Sequence, residues 1–305
     1  MTRDPKWRTV APFLAGLVVF ALLAMLNQSR GFVLWHNYAL TGVVLGGIVT
    51  SLLYRWDVRV PRYIQWVIVV ALLLHYGGGS LGSPDPYRMG LLGYHGINGA
   101  YHVHTWWDNL THFAGIGAGA MATAYLLEAY QTRRGLAWNK RSVWALSFTT
   151  GLAAGVGVEL YEYLGKAAFQ TIDQGGYRNT MLDLLFNIVG ASVGSALAVT
   201  VDRRRLAKQI ERHWGRRTAT LAGRPWTDRV PPAMMGFIAF VAPAAAMTLW
   251  LAGHYLTFLP GLDAQGTYDG ALNLMLASAI AGVLIGPVTG LAWARRTRQP
   301  QGESS

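Results

Sequence analysis

The chain has 305 residues, of which 52% are hydrophobic and only 13% are charged. A typical soluble domain is about one quarter charged, so this composition argues against a soluble enzyme and excludes intrinsic disorder. The formal net charge is +11, and the absence of cysteine excludes disulfides, cysteine metal ligands and a thiol nucleophile.

Eight apolar stretches, each near the ~20 residues that a helix needs to cross a bilayer, follow one another along the chain. They predict an all-α integral membrane protein, a polytopic bundle of eight transmembrane helices. The predicted spans are residues 9–27, 32–54, 62–77, 108–130, 141–164, 180–201, 232–258 and 269–294.

The basic residues alternate between the two sides of these spans. Twenty-two of the 26 lysines and arginines lie in the N-terminus, in alternate loops and in the C-terminal tail; the other four are Arg30, Arg88, Lys166 and Arg178. The positive-inside rule therefore predicts a multi-pass cell-membrane protein with both termini cytoplasmic. The net charge then reflects orientation and contact with anionic lipid headgroups, not nucleic-acid binding.

The whole chain, residues 1–305, is expected to form a single membrane domain. Within it we expect a core over residues 62–201, a basic cytoplasmic loop over 202–231 and a C-terminal helix pair over 232–294. The external segment 78–107 is rich in glycine and aromatic residues. This composition is typical of an aromatic belt at the membrane surface, or of a lid over a site on the outer face.

Three of the predicted helices carry polar residues and glycines on one face, at steps of three and four residues. The residues on these faces are Asp108, His112, Gly115, Gly119, Gly151, Gly155, Glu159, Glu162, Asp183, Asn187, Gly190 and Gly194. Glycines let helix backbones approach closely in lipid. We therefore expect the glycines to pack together and the polar ends, all on the predicted outer side, to form one cluster.

Simpler interpretations of the acidic residues exist. Asp108 could cap its helix, and Thr180 to Asp183 have the spacing of a capping box. Glu159 and Glu162 fall in the last turns of their predicted helix, where the helix dipole disfavours negative charge. They need a proton, a cation or a metal; the candidate cationic partners are His112, Lys166 and Arg178.

Five residues are the predicted catalytic or metal-binding set. They are Asp108, His112, Glu159, Glu162 and Asp183. A set rich in oxygen with one imidazole could hold Mg²⁺, Mn²⁺, Ca²⁺ or Zn²⁺. It could equally be an acid/base site in which the histidine titrates near neutral pH.

These residues also carry a resemblance to known families. The run from Trp106 to Phe113, with Asp108 and His112, resembles the D-x-x-x-H-F motif of the YjdF and VanZ-like membrane families. The Glu159/Glu162 pair and the Asp183 to Gly190 stretch match the following motifs in order, over about residues 65–200. VanZ-like proteins often have glutamine where this chain has Glu162, so YjdF is the closer match. The resemblance implies a role in the cell envelope without a defined reaction.

The leading hypothesis is chemistry at the outer leaflet on a lipid or lipid-linked headgroup. A proton- or cation-coupled transporter and a non-catalytic membrane scaffold are the alternatives. A transporter site is expected near the bilayer midplane, whereas His112 lies only about 6 Å below Asp108 along its helix. The sequence does not decide the oligomeric state.

Overall fold

The computed structural model describes residues 6–55, 60–104, 106–134, 139–169, 176–200 and 245. This part of the chain is helical and contains no strand, apart from an isolated bridge between Met89 and His95. The helices are α1 (Ala11–Ser29), α2 (Val33–Arg55), α3 (Arg62–Ser80), α4 (Ala100–Val103), α5 (Trp107–Arg134), α6 (Lys140–Phe169) and α7 (Gly176–Thr200).

Six of these helices, all except the short α4, are long and apolar enough to cross a membrane. They confirm six of the eight predicted spans. The predicted spans at 232–258 and 269–294 lie outside the described residues, except for Ala245. The orientation of the termini stays a prediction.

The long helices alternate in direction, so that α3 and α6 end, and α5 and α7 begin, at the same end of the bundle as the segment between α3 and α5; this end is here called the loop end. The α1–α2 hairpin is tied to this end by hydrogen bonds. The Arg30 guanidinium donates to the Ser80 carbonyl at 2.6 Å and to the Gly82 carbonyl, and the Trp35 indole donates to the Ile97 carbonyl at 2.9 Å.

The α5 and α7 backbones touch along a seam of glycines. A side chain on Gly190 would overlap the Phe113 carbonyl, and one on Gly194 would overlap the Gly117 carbonyl. Helix α6 joins this pair through Gly151, where an added Cβ would lie 2.9 Å from the Ala191 side chain. Close backbone approach of this kind is how helices without bulky side chains associate in lipid.

The α5 side of this seam includes a glycine that the sequence prediction did not name. A Cβ on Gly115 or Gly119 would have no neighbour within 4 Å, whereas one on Gly117 would lie 3.0 Å from the Gly190 carbonyl oxygen. Among the described residues, α7 therefore contacts α5 at Gly117, and packing at Gly115 and Gly119 stays a prediction. Helix α7 crosses α5 on the face that carries Gly117, which the spacing alone does not reveal.

Candidate functional site

Four of the five predicted site residues meet at the loop end of the bundle. Helix α5 carries Asp108 and His112, α6 carries Glu159, and α7 carries Asp183. The imidazole Nε2 of His112 lies 3.6 Å from Asp108 Oδ1, 3.7 Å from Glu159 Oε1 and 3.9 Å from Asp183 Oδ2. Three carboxylates from three different helices therefore face one ring nitrogen.

The other ring nitrogen of His112 is held by Asn187. His112 Nδ1 lies 3.2 Å from Asn187 Oδ1, and both residues are buried. An amide oxygen can only accept, so Nδ1 carries the proton in this hydrogen bond. In the neutral imidazole the Nε2 lone pair then points toward the three carboxylates.

A second amide, Asn179, links two of the acids. Its Nδ2 donates to Asp108 Oδ2 at 2.9 Å and to Asp183 Oδ2 at 2.6 Å. Sequence reasoning missed Asn179, although it precedes Asp183 by four residues and so extends the same helical face. It was missed because helix α7 was expected to begin at residue 180, whereas it begins at Gly176.

The buried acids are short of hydrogen-bond donors. Glu159 is 0% exposed, and neither of its carboxylate oxygens has a hydrogen-bond partner among the described residues. The same is true of Asp183 Oδ1 and Asn187 Nδ2. An unpaired buried carboxylate costs several kcal/mol, about 3 or more in a membrane segment, so this arrangement requires compensation.

The helix ends correct two of the simpler interpretations. Because α7 begins at Gly176, Thr180 and Asp183 lie inside the helix and do not form its capping box. Because α6 continues to Phe169, Glu159 and Glu162 lie well before its last turn. The free-energy cost of ionising these carboxylates therefore comes from their burial and not from the helix dipole. Asp108, the second residue of α5, remains in the first turn, where the dipole favours it.

Glu162 lies one turn further along α6 and is half-buried. Its carboxylate interacts electrostatically with Tyr101 of α4. Burial raises the pKa of Tyr101 well above its usual value, a hydrogen bond with Thr111 opposes this, and the carboxylates of Asp108 and Glu162 add to the rise. The Tyr101 hydroxyl also lies 2.6 Å from His75 Nδ1. Glu162 is therefore close enough to Tyr101 for its carboxylate to affect the tyrosine electrostatically.

The two proposed basic partners do not complete the cluster in the described part of the chain. Arg178 is exposed, and the side chain of Lys166 lies outside the described residues. Among the described residues, the basic group within 4 Å of Asp108, Glu159 and Asp183 is the His112 imidazole, which is a cation only when protonated. One imidazole cannot neutralise three carboxylates.

The segment between α3 and α5 partly covers this end of the bundle. Tyr101 is turned inward, where its ring stacks on Trp35 at 5.6 Å between centroids. Tyr87, in contrast, is 93% exposed, and Trp106 is also exposed. The segment therefore has exposed aromatic side chains on its outer surface and Tyr101 on its inward side, and its role as a belt or a lid stays a prediction.

Comparison with known proteins places the chain in a family. The model of the family described as "Predicted membrane protein (DUF2238)" matches residues 10–204, and the chain belongs to this family. The match includes α1 and α2 as well as the helices that carry the cluster. No curated protein and no solved structure matches the chain.

Proposed function

We propose that this protein is a divalent-cation-dependent membrane enzyme that acts on the headgroup of a lipid or lipid-linked substrate at the outer leaflet. The observation that carries the proposal is the set of three carboxylates around His112 Nε2, at 3.6, 3.7 and 3.9 Å. Asp108, His112 and Asp183 each offer one ligand atom, and these atoms all lie within 4.8 Å of one another.

The spacing of these atoms favours a shared cation over direct hydrogen bonds. Separations of 3.6–3.9 Å between His112 Nε2 and the carboxylate oxygens exceed hydrogen-bond length. Two ligands of one ion at about 2.1 Å are separated by roughly 3–4.2 Å, which is the range found here. A divalent cation would also compensate the unpaired oxygens of Glu159 and Asp183.

The hydrogen bond from His112 Nδ1 to Asn187 supports the same interpretation. Metal-binding histidines usually donate their other ring N–H to an oxygen, which fixes the tautomer and orients the ring. One imidazole with several carboxylates suits Mn²⁺ or Zn²⁺, and Mg²⁺ or Ca²⁺ to a lesser degree. Asp108, His112 and Asp183 are the proposed ligands, and Glu159 is the proposed base.

Such a centre is suited to hydrolysis of a headgroup bond. Asp108, His112 and Asp183 would hold the ion, which would supply Lewis-acid activation of a water molecule. Glu159 would accept a proton from the water as its oxygen attacks the headgroup ester, and would return that proton to the leaving oxygen when the ester bond breaks.

The depth of the cluster favours a headgroup over a transported ion. Asp108 is in the first turn of α5, and His112 lies about 6 Å further along the helix. Transporter sites are usually near the bilayer midplane, about 15 Å below the surface of the hydrocarbon. The outer-face assignment and the plasma-membrane location are part of this proposal, since they rest on the charge of the loops. The resemblance to the YjdF and VanZ-like families is likewise part of this proposal.

The test is metal content combined with lipid turnover. We expect the purified full-length protein to contain about one divalent ion per chain, and Asp183→Asn, which removes a proposed ligand, to lower this content strongly. Chelator should lower the melting temperature of the wild type, because a metal at 100 times its Kd stabilises by about 2.7 kcal/mol. In vesicles of mixed lipids, mass spectrometry should detect headgroup loss that stops with chelator and resumes when metal is returned.

Glu128→Gln is the matched control, because Glu128 is also a buried acidic residue whose carboxylate becomes an amide, but it lies near the other end of α5. It should leave metal content and the chelator effect unchanged. A wild-type protein that binds no metal would overturn the proposal and leave the scaffold alternative. Metal binding with cation flux but no change in any lipid would favour the transporter.

A further inference from the structure

An apolar groove separate from the carboxylate cluster runs between α3, α5 and α7. Its cavity volume is about 410 Å³, and every residue that lines it is apolar. The end nearer the loop end is formed by Leu74, Phe113 and Gly190. The far end is formed by Trp66, Met121 and Leu197.

The groove is elongated along the membrane normal. From Trp66 to Leu74 helix α3 advances eight residues, which corresponds to about 12 Å. Trp66, Val70 and Leu197 are each about half exposed, at 48%, 51% and 45%. Since these residues lie within membrane-length helices, the groove opens sideways toward lipid.

Besides lipid, the C-terminal part of the chain is a candidate to cover this groove. Its described residue, Ala245, instead packs with Ile116, Leu152 and Ala191. None of these residues lines the groove. This contact therefore places Ala245 on another face of α5 and α7.

A basic residue stands beyond the far end of the groove. Arg62, Trp66 and Val70 follow one another at steps of four on one face of α3. Arg62 is exposed, with no ion-pair partner among the described residues. From Arg62 to Leu74 the helix advances about 18 Å, slightly more than the ~15 Å of hydrocarbon in one leaflet. The guanidinium therefore stands at headgroup level when the groove spans that leaflet.

We infer that this groove is a binding site for one anionic glycerophospholipid of the leaflet at the end opposite the loop end. One acyl chain fills the apolar cavity, and the lipid phosphate pairs with Arg62. The indole of Trp66 lies between them, at the depth that tryptophan prefers in membranes. An arginine at this level binds phosphate with a fork of N–H donors.

The experiment is native mass spectrometry of the full-length protein released from nanodiscs that contain phosphatidylglycerol and an excess of phosphatidylcholine. The wild type should retain one phosphatidylglycerol. Arg62→Gln should lower this retention about tenfold, whereas Arg55→Gln, which removes an exposed charge from the same end of the bundle, should not.

The apolar part is tested by filling the groove. Val193→Trp should reduce retention, and Val189→Trp should not, because both valines are exposed on α7 but only Val193 lines the groove. Ala114→Phe provides a second variant that fills the groove from α5. A phosphatidylglycerol with a photoreactive group near the end of its chain should label Leu74 or Phe113. None of these substitutions touches the carboxylate cluster, so metal content should stay at the wild-type level.

Three results would overturn the inference. The first is equal retention of the two lipids, or of neither, by the wild type. The second is labelling spread evenly over all lipid-facing helices. The third is wild-type retention of phosphatidylglycerol in both the Arg62→Gln and the Val193→Trp full-length proteins. Each would leave the proposed metal site unaffected, because that proposal depends on metal content and not on bound lipid.

Discussion

His112 and Asn187 are joined across the α5–α7 interface, with His112 Nδ1 3.2 Å from Asn187 Oδ1. The two residues are 75 positions apart in the chain, and both are buried. This hydrogen bond determines which nitrogen of the imidazole is left to face Asp108, Glu159 and Asp183. Asn187 is not one of the acids of the cluster, but through this hydrogen bond it fixes the tautomer and the orientation of His112.

Asn187→Ala should therefore weaken metal binding without removing a ligand. Loss of the oxygen that orients a metal-binding histidine typically costs about 10–100-fold in affinity. Competition with a coloured chelator measures this change directly. Ser195→Ala is the control, because Ser195 is also a buried polar residue of α7. Equal affinities in the two variants would mean that Asn187 does not orient His112 for a metal.

The contact between Gly155 and Asn187 provides a second, indirect way to disturb the cluster. A Cβ on Gly155 would lie 2.6 Å from Asn187 Nδ2, so Gly155→Ala must displace the amide. We expect metal affinity to fall while the melting temperature of the metal-free protein changes little. Gly157→Ala on the same helix meets nothing within 4 Å and should behave like the wild type. A Gly155→Ala protein with unchanged affinity would contradict this prediction.

The glycine seam predicts a difference in stability between two substitutions of the same kind. Gly190→Leu forces α5 and α7 apart at the Phe113 carbonyl, whereas Gly119 is exposed and a Cβ there has no described neighbour within 4 Å. Overpacking a well-packed interior typically costs about 1–3 kcal/mol. Thermal unfolding in detergent should therefore show a lower melting temperature for Gly190→Leu and not for Gly119→Leu. Similar melting of both variants would mean that the seam does not hold the helices together.

The orientation of the bundle can be tested with single cysteines, since the native chain contains none. Tyr87 is 93% exposed at the loop end, and Lys140 is exposed at the start of α6, at the opposite end. A membrane-impermeant maleimide applied to whole cells should label Tyr87→Cys but not Lys140→Cys. Disruption of the cells should expose Lys140→Cys. The reverse pattern would invert the predicted topology and place the cluster on the cytoplasmic side.

The sequence was sufficient to predict where the long helices lie, because a bilayer requires about 20 apolar residues in a row, and this requirement is visible in composition. It was not sufficient to predict the residues at which the helices begin and end. Helix α6 extends to Phe169 and α7 starts at Gly176, in stretches where polar residues hide the helical continuation. For this reason Asn179 was missed, and Asp183 was given a capping role that it does not have.

Which glycines touch a neighbour could not be read from spacing either. Gly115, Gly117 and Gly119 lie along the same helix, and only the direction from which α7 approaches selects Gly117. That direction depends on the crossing angle of two helices that are far apart in the chain. The convergence of Asp108, His112, Glu159 and Asp183 was predictable in outline, because their positions along three neighbouring helices place them at one level.

The hydrogen bonds that Arg30 donates to Ser80 and Gly82 have a consequence for any attempt to shorten this protein. Helices α1 and α2 supply none of the acids of the cluster. They nevertheless anchor the segment that carries Tyr101 over it, and the family match begins at residue 10, ahead of α1. A fragment that starts at α3 would keep every acidic side chain of the cluster and lose these anchoring bonds. The smallest unit that preserves the architecture of the site therefore includes the first hairpin.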